Sequence, residues 1–441
     1  MPRKNHEWDF DSPSEVSRHT LHKHQVYEDY IKRYIDTIVP HQGDRVVFSI
    51  IDGFCGGGIY RLADTGEICY GSPVRIIQTV RNKEKEINSK RTKPLKFIVK
   101  YFFTDNDDKA INCLKKVFED RGISEIEGEK IHIEKGNFAD MYSKIRANIQ
   151  NSLNGKIGKH KAIFILDQYA YKEVPISLTN LIMSEFTKAE ILLTFVPRAF
   201  LDFAGKYDPR ALETTNKQLN KLGFNVSISD IREKAQELAG DHTFIHSEQL
   251  FLQESIAQTI RTTSNAKHFS KYFIQSANSS RDLWIIHLAN HYKAHDVMIS
   301  VQWDSANCDY SHPGYWGLPP AIIGFDSSQS DLAQQMNLEM THFNQSSEAK
   351  TLEVLSSQIP KLLFKHYGKQ TTISDLFQHI TNETTCNIDL LKKSLQLSID
   401  HDEIRISSKN TSSHRVATAA PDGAVIELFQ RPIIFPVTNS S

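Results

Sequence analysis

Four short segments carry side chains whose type and spacing suit ligand chemistry. The first is Asp52-Gly53-Phe54-Cys55-Gly56-Gly57-Gly58, which follows the apolar run Val46-Val47-Phe48-Ser49-Ile50-Ile51. A β-rich run ending in an acid and a glycine cluster is how a buried parallel strand turns tightly beneath a ligand. Glycines keep side chains clear and leave backbone N–H groups to meet a polar molecule. The spacing departs from the G-x-G-x-x-G dinucleotide fingerprint, because an acid precedes the loop and the glycines are contiguous. Asp52, Phe54, Gly56 and Gly58 are its candidate ligand contacts. A glycine-rich turn with no ligand is the plain alternative.

The second segment is Thr104-Asp105-Asn106-Asp107. Asp105 is placed to accept hydrogen bonds from two ribose hydroxyls, because both carboxylate oxygens accept and neither needs a matching donor. Asp107 is the alternate for that role. Either acid could instead cap the following helix, a contribution of about 1 kcal/mol. The third, Gly136-Asn137-Phe138, could present the Asn137 amide to an adenine edge. The fourth is Asp167-Gln168-Tyr169-Ala170. Here Asp167 and the backbone carbonyl of Gln168 could accept from the amino group of a base, orienting its lone pair, while Tyr169 stacks on the ring. Catalysis of that kind is mainly positioning. A strand ending in a turn, with aromatic packing beneath it, is the competing reading.

Strands must deliver these segments to one place, and the hydrophobic pattern supplies them. An opening helix is predicted over 15–38, with Val26, Tyr30, Tyr34 and Ile38 at four-residue spacing. Apolar strands are predicted at 45–51, 96–103, 130–134, 161–166 and 190–196, separated by helices at 74–80 or beyond, 110–120, from 138 to about 153, and 176–186. Unbroken apolar runs alternating with helices indicate a parallel sheet covered on both faces. A helical insertion is expected at about 199–264, with one weak strand near 223–226. Then 271–276 and 282–288 form an antiparallel hairpin across a short polar turn. Residues 345–441 read as three helices and a hairpin, the succession of a winged-helix module, which serves duplex DNA or protein contact. The expected domains are an N-terminal helical segment (1–40), a Rossmann-like α/β domain (41–330) and the winged helix.

Composition narrows the class. The chain has 441 residues, 39% of them hydrophobic and 24% charged, as in a soluble globular protein of two domains. No apolar run approaches the roughly 20 residues of a membrane span, and the first residues lack the apolar core of a signal peptide. The five cysteines are scattered, with no C-x-x-C pair, so neither a zinc site nor a disulfide framework is expected. A cytoplasmic protein with reduced thiols follows. Net charge is −1, so no overall field announces nucleic acid. One basic stretch, 81–100, could contact phosphate or be a solvated loop. His287, His291 and His295 recur every four residues, but the first two fall in a strand and its end, which favours ordinary histidines over a metal site.

The pattern D-x-F-x-G-x-G resembles the first motif of S-adenosylmethionine-dependent methyltransferases, and five βα units closed by an antiparallel hairpin resemble the class I fold of those enzymes. Trp8, then His19-Thr20-Leu21-His22-Lys23-His24 with Tyr30-Ile31, then Ile51 to Tyr60, then Gly71-Ser72-Pro73 are together similar to the three-Cys-motif partner proteins. The resemblance covers most of the chain, including 284–298 and the terminal module. It implies S-adenosylmethionine as cofactor and a bacterial gene neighbourhood shared with a three-cysteine-motif protein. That family is similar in turn to ribosomal-RNA adenine N6-methyltransferases with an N-terminal Lys-His motif, which makes Lys23 a candidate on the substrate side. The expected activity is methyl transfer to nucleic acid, on an adenine amino group. Gln168 and Ala170 depart from the family's L-D-P-x-G, and loss of a proline that fixes φ alters the loop. The alternative is therefore an inactive methyltransferase-like scaffold that binds nucleic acid or a partner protein.

Overall fold

A computed structural model describes residues 7–152, 157–168, 173–195, 256–274, 283–305 and 310–312, isolated positions between 213 and 220, and most of 341–429. The chain divides into two units, 1–312 with 333–336 and 313–332 with 337–441. The first unit begins with a two-residue strand β1 (Glu15–Val16) and helix α1 (Arg18–Ile38). Then come β2 (Arg45–Asp52), the small strands β3 (Ile59–Leu62) and β4 (Ile68–Tyr70), α2 (Ser72–Ser89), β5 (Lys96–Asp105), α3 (Asp108–Asp120), β6 (Glu129–Lys135) and α4 (Phe138–Ser152). The series continues with β7 (Lys161–Leu166), α5 (Ile176–Glu185), β8 (Lys188–Phe195), β9 (His268–Ile274), β10 (Leu283–Ala289), α6 (Tyr292–Asp304) and β11 (Tyr310–His312).

The apolar runs form one mixed sheet in the order β6-β5-β2-β7-β8-β10-β9, with β11 added antiparallel on β9. From β6 to β8 every pairing is parallel. β10 runs antiparallel to both its neighbours, β8 and β9, so the hairpin's second strand is the inner one. Phe48, Ile50, Val99, Phe103, Ile163, Phe164, Ile191 and Ile286 are completely buried, which explains the unbroken apolar runs: the strands are covered on both faces. The turn of the hairpin and nearly all of the expected insertion, including 223–226, lie outside the described residues; 256–263 is helical, as expected.

Three elements differ from the sequence expectation. The β3–β4 hairpin occupies a polar stretch for which no element is expected, because its side chains mix buried and half-exposed positions with no period-two alternation. α1 starts at Arg18, since Glu15 and Val16 pair with Arg61 and Leu62 of β3. α2 extends to Ser89, so much of the basic stretch 81–100 is helix rather than loop, and β5 takes up its end.

The buried stripe of α1 includes hydroxyls. Tyr30 bonds the Glu190 carboxyl of β8 and lies 3.0 Å from His287 Nε2 of β10, and Tyr27 is 3.1 Å from the Thr194 hydroxyl. Glu190 has no counter-charge in this group, and burial holds its carboxyl protonated well above the usual range. The sign for stability follows: the native state keeps a proton that the unfolded chain releases near pH 4.5, so stability is full below that pH and falls as pH rises toward the native value. The slope is at most about 1.4 kcal/mol per pH unit. Differential scanning from pH 5 to 8 should show a falling Tm in the wild type and a flatter profile for Glu190→Gln; parallel profiles would contradict the assignment.

The second unit contains α7 (Gln345–His366), β12 (Gln370–Thr372), α8 (Ile373–Ile380), α9 (Ile388–Asp400), β13 (Ile404–Ser407) and β14 (Val425–Leu428). Its antiparallel sheet has the order β12-β14-β13. Side chains of Asn344, Thr372 and Asn387 accept from the N–H groups of Ser347, Asp375 and Leu390 at 2.9, 3.0 and 2.8 Å, fixing the three helix starts. Leu355, Ile359, Leu376, Phe377, Leu391, Leu395, Ile406 and Ile426 close a core of their own.

Candidate functional site

Parallel register brings three acids to one rim. Asp52 at the end of β2 pairs with Phe103 of β5 and Ile165 of β7, so Asp105 and Asp167 project just beyond it on either side. This is the carboxyl edge of the sheet, where open α/β proteins hold ligands.

Asp52 points inward. It is fully buried, takes a hydrogen bond from the Ser72 hydroxyl at 2.6 Å and another from the Phe54 N–H at 3.1 Å. Burial pushes its carboxyl up to about 7. The Gly-Ser-Pro turn therefore serves to anchor this acid. The amides of the loop are also largely committed. Gly53 N–H bonds Ile165 O, Cys55 N–H bonds Thr104 O, and Gly56 N–H bonds Asp105 Oδ2, each at 3.0 Å. Residues 53–56 thus lack the free donors that the glycine cluster suggested.

The glycines have a packing reason instead. A Cβ on Gly57 would lie 2.5 Å from the Trp8 ring, and one on Gly56 would lie 2.8 Å from it. A Cβ on Gly58 would meet Leu114 of α3 at 2.6 Å, and Gly56 and Gly58 both have left-handed backbone, with φ of +60° and +75°. Trp8 is thus pressed onto the loop, with Tyr60 edge-on to it at 5.5 Å between ring centroids. Phe54 is half-buried.

Asp105 is half-buried, and its Oδ1 accepts from the Asp107 N–H at 2.9 Å while Oδ2 holds Gly56. Burial raises its carboxyl above the ordinary range. Each oxygen has a further lone pair, so a second acceptor role is chemically open. Asp107 takes the capping role: its side chain accepts from Lys109 N–H at 2.8 Å and starts α3. Asn137 is exposed; its amide faces Asp140 at 3.4 Å and its carbonyl accepts from Asn106 at 3.3 Å.

The sharpest convergence is between two candidates 144 residues apart. Lys23 of α1 forms an ion pair with Asp167 past the end of β7, with side chains only 13% and 19% exposed. Gln168 is 3% exposed and turned inward, where its Oε1 accepts from Val174 N–H at 3.0 Å and fixes the far side of the loop. Tyr169 lies outside the described residues.

Sequence reasoning assigned no role to three neighbours. Trp8 reaches the glycine loop through long-range packing that no local pattern signals. Tyr60 follows the loop, and burial together with the carboxylates of Asp167, Asp52 and Asp105 holds its hydroxyl neutral well above its usual range. His24 is 3% exposed, its ring 6.3 Å from those of Tyr27 and Tyr60, and its Nδ1 has no partner. Burial, with the charge of Lys23 beside it, brings its imidazole down to about 3, so it is neutral.

The basic stretch is elsewhere. Lys90, Arg91, Lys93 and Lys96 lie at the amino ends of the strands, where Lys96 pairs with Arg45, and β2 separates them from the acidic rim by about 23 Å. Arg81 is committed to Glu129, and Lys83 to Asp36 and Glu86. Among the described residues no group of three or more His, Cys, Asp or Glu is placed to hold a metal, and His291 caps α6 by accepting from Lys293 N–H at 3.1 Å. No described helix is long and apolar enough to cross a membrane.

In α9 the exposed positions are Asp389, Lys393, Leu397 and Asp400. Its two lysines pair internally, Lys392 with Asp422 at 2.9 Å and Lys393 with Glu348 at 2.5 Å. The chain matches no family model and no curated protein.

Proposed function

We propose that this chain is an S-adenosylmethionine-dependent methyltransferase acting on nucleic acid, at an adenine amino group. One observation carries the reading: an antiparallel strand, β10, inserted between β8 and β9 beside a parallel sheet whose rim carries Asp52, Asp105 and Asp167. That arrangement resembles the class I methyltransferase sheet. The order of sequence motifs, similar to three-Cys-motif partner proteins, supports the same reading.

The residues fit such a cofactor at the rim and not on the loop face. Half-buried carboxylates suit a ribose and a cationic ligand, whereas the faces of Gly56 and Gly57 are taken by Trp8. Asp105, with Asn137 beyond it, would hold the nucleoside end. The cofactor supplies the methyl group when bound. Asp167 would orient the acceptor amino group, and Lys23 holds that acid in place. Asp52 and Ser72 fix the loop, and Gln168 fixes the chain after β7.

Isothermal titration with S-adenosylmethionine, then tritiated-methyl transfer onto total RNA and total DNA, tests the proposal. Saturable binding and label in one nucleic acid are expected; absence of binding would overturn it.

A second reading is a methyltransferase-like scaffold that binds a partner, such as a three-cysteine-motif protein, through a winged-helix C-terminal unit. The face of α9 favours it: two acids, a leucine and a lysine already paired are poorly suited to phosphate. Cofactor binding without transfer to RNA, DNA or protein pools would select this reading.

A further inference from the structure

Two aromatic rings adjoin the turn that Asp105 holds. Trp8 lies on Gly56 and Gly57, and Tyr60 meets the indole edge-on at 5.5 Å. The Tyr60 hydroxyl lies 3.0 Å from the position a Gly56 Cβ would take, and the Gly56 amide is bonded to Asp105. The chain holds Trp8 there deliberately. Ser14 Oγ bonds Glu7 O at 2.8 Å, Arg61 N–H bonds Ser14 O at 3.0 Å, and β1 pairs with β3, so the segment before α1 is strapped to the β3–β4 hairpin.

Resting on the cofactor reading above, we infer that Trp8 and Tyr60 make this site selective for a sulfonium cation over the neutral thioether that remains after methyl transfer. A cation near these rings gains attraction from their π systems. It gains further from Asp105, whereas the charge of Asp167 is offset by Lys23. His24 beside Lys23 is neutral and adds no repulsion. Tyr60 keeps its proton, so its ring acts as a neutral aromatic and not as a phenolate. A thioether of the same shape gains contact area alone. The site therefore lets go of its product once the charge has left with the methyl group.

Titration calorimetry with three probes tests this. S-adenosylmethionine carries the sulfonium, sinefungin an ammonium at that place, and S-adenosylhomocysteine neither. The full chain should bind both cations about tenfold more tightly than the thioether, within the range of a cation–π contact. Trp8→Ala and Tyr60→Leu should each bring the ratio toward one by weakening the cations, while Trp8→Phe and Tyr60→Phe retain most of it. Thermal melts of each variant accompany the titrations, and the phenylalanine variants keep the test valid if the truncations unfold. Equal affinity for cation and thioether in the wild type overturns the inference. So does a ratio that survives both truncations. If Trp8→Ala tightens all three ligands alike, the indole is an obstruction and the inference fails. Failure of every probe to bind overturns the cofactor assignment itself, an outcome distinct from equal binding.

Discussion

Asp105→Ala should weaken S-adenosylmethionine binding by about 10²- to 10⁴-fold. Two ribose hydroxyls donating to one carboxylate contribute roughly 1.5–3 kcal/mol each, and that sum sets the range. The structure adds a reason for a steep loss. Asp105 also holds the amides of Gly56 and Asp107, at 3.0 and 2.9 Å, so its removal frees the turn beneath Trp8 as well as the ligand's acceptor. Asp105→Asn is the milder change. One accepting oxygen survives, so binding should fall by about tenfold, and because the amide NH2 cannot accept from the Gly56 or Asp107 N–H, the Tm should drop part of the way toward that of Asp105→Ala. Titration calorimetry beside a thermal melt reads both. Unchanged affinity in Asp105→Ala would remove the ribose role from this residue.

The second large effect is on transfer rather than on binding. Asp167→Ala should lower methyl transfer by about 10²- to 10³-fold, the usual consequence of losing a group that positions a reacting atom. Cofactor affinity should change little. Truncation also leaves Lys23 without its partner in a site where both side chains are mostly covered. That should cost about 1–3 kcal/mol after allowance for residual solvent screening. Combining Lys23→Met with Asp167→Ala should restore part of the lost stability without restoring transfer. Recovery of transfer in the double variant would make Asp167 a structural acid and place the acceptor site elsewhere.

Local patterns made the centre of the parallel sheet legible because β2, β7 and β8 are buried on both faces and thus largely apolar. Lys161–Leu166 was read to the residue for that reason. The β3–β4 hairpin was missed because its side chains are half in water and carry no period. At the rim, the acids were found by their place after strands, but what each one faces depends on partners distant in sequence. Asp52 looked like a ligand contact until Ser72 closed over it, and Asp107 proved to be the cap of α3. The glycine cluster was informative for a different reason from the one first apparent. Its small residues admit an indole supplied from 48 positions upstream of Gly56. No spacing within the loop encodes that contact, and none encodes the Lys23–Asp167 pair.

The interior position of β10 has a bearing on how the chain is made. During synthesis β8 emerges with one flank unpaired, and its true neighbour follows only after residues 196–282 have been added. For that interval a strand rich in apolar side chains offers its backbone to any strand that passes, the situation in which nascent chains aggregate. β9 emerges before β10 yet pairs with nothing in the sheet until β10 arrives, so the two are expected to dock together as a preformed hairpin.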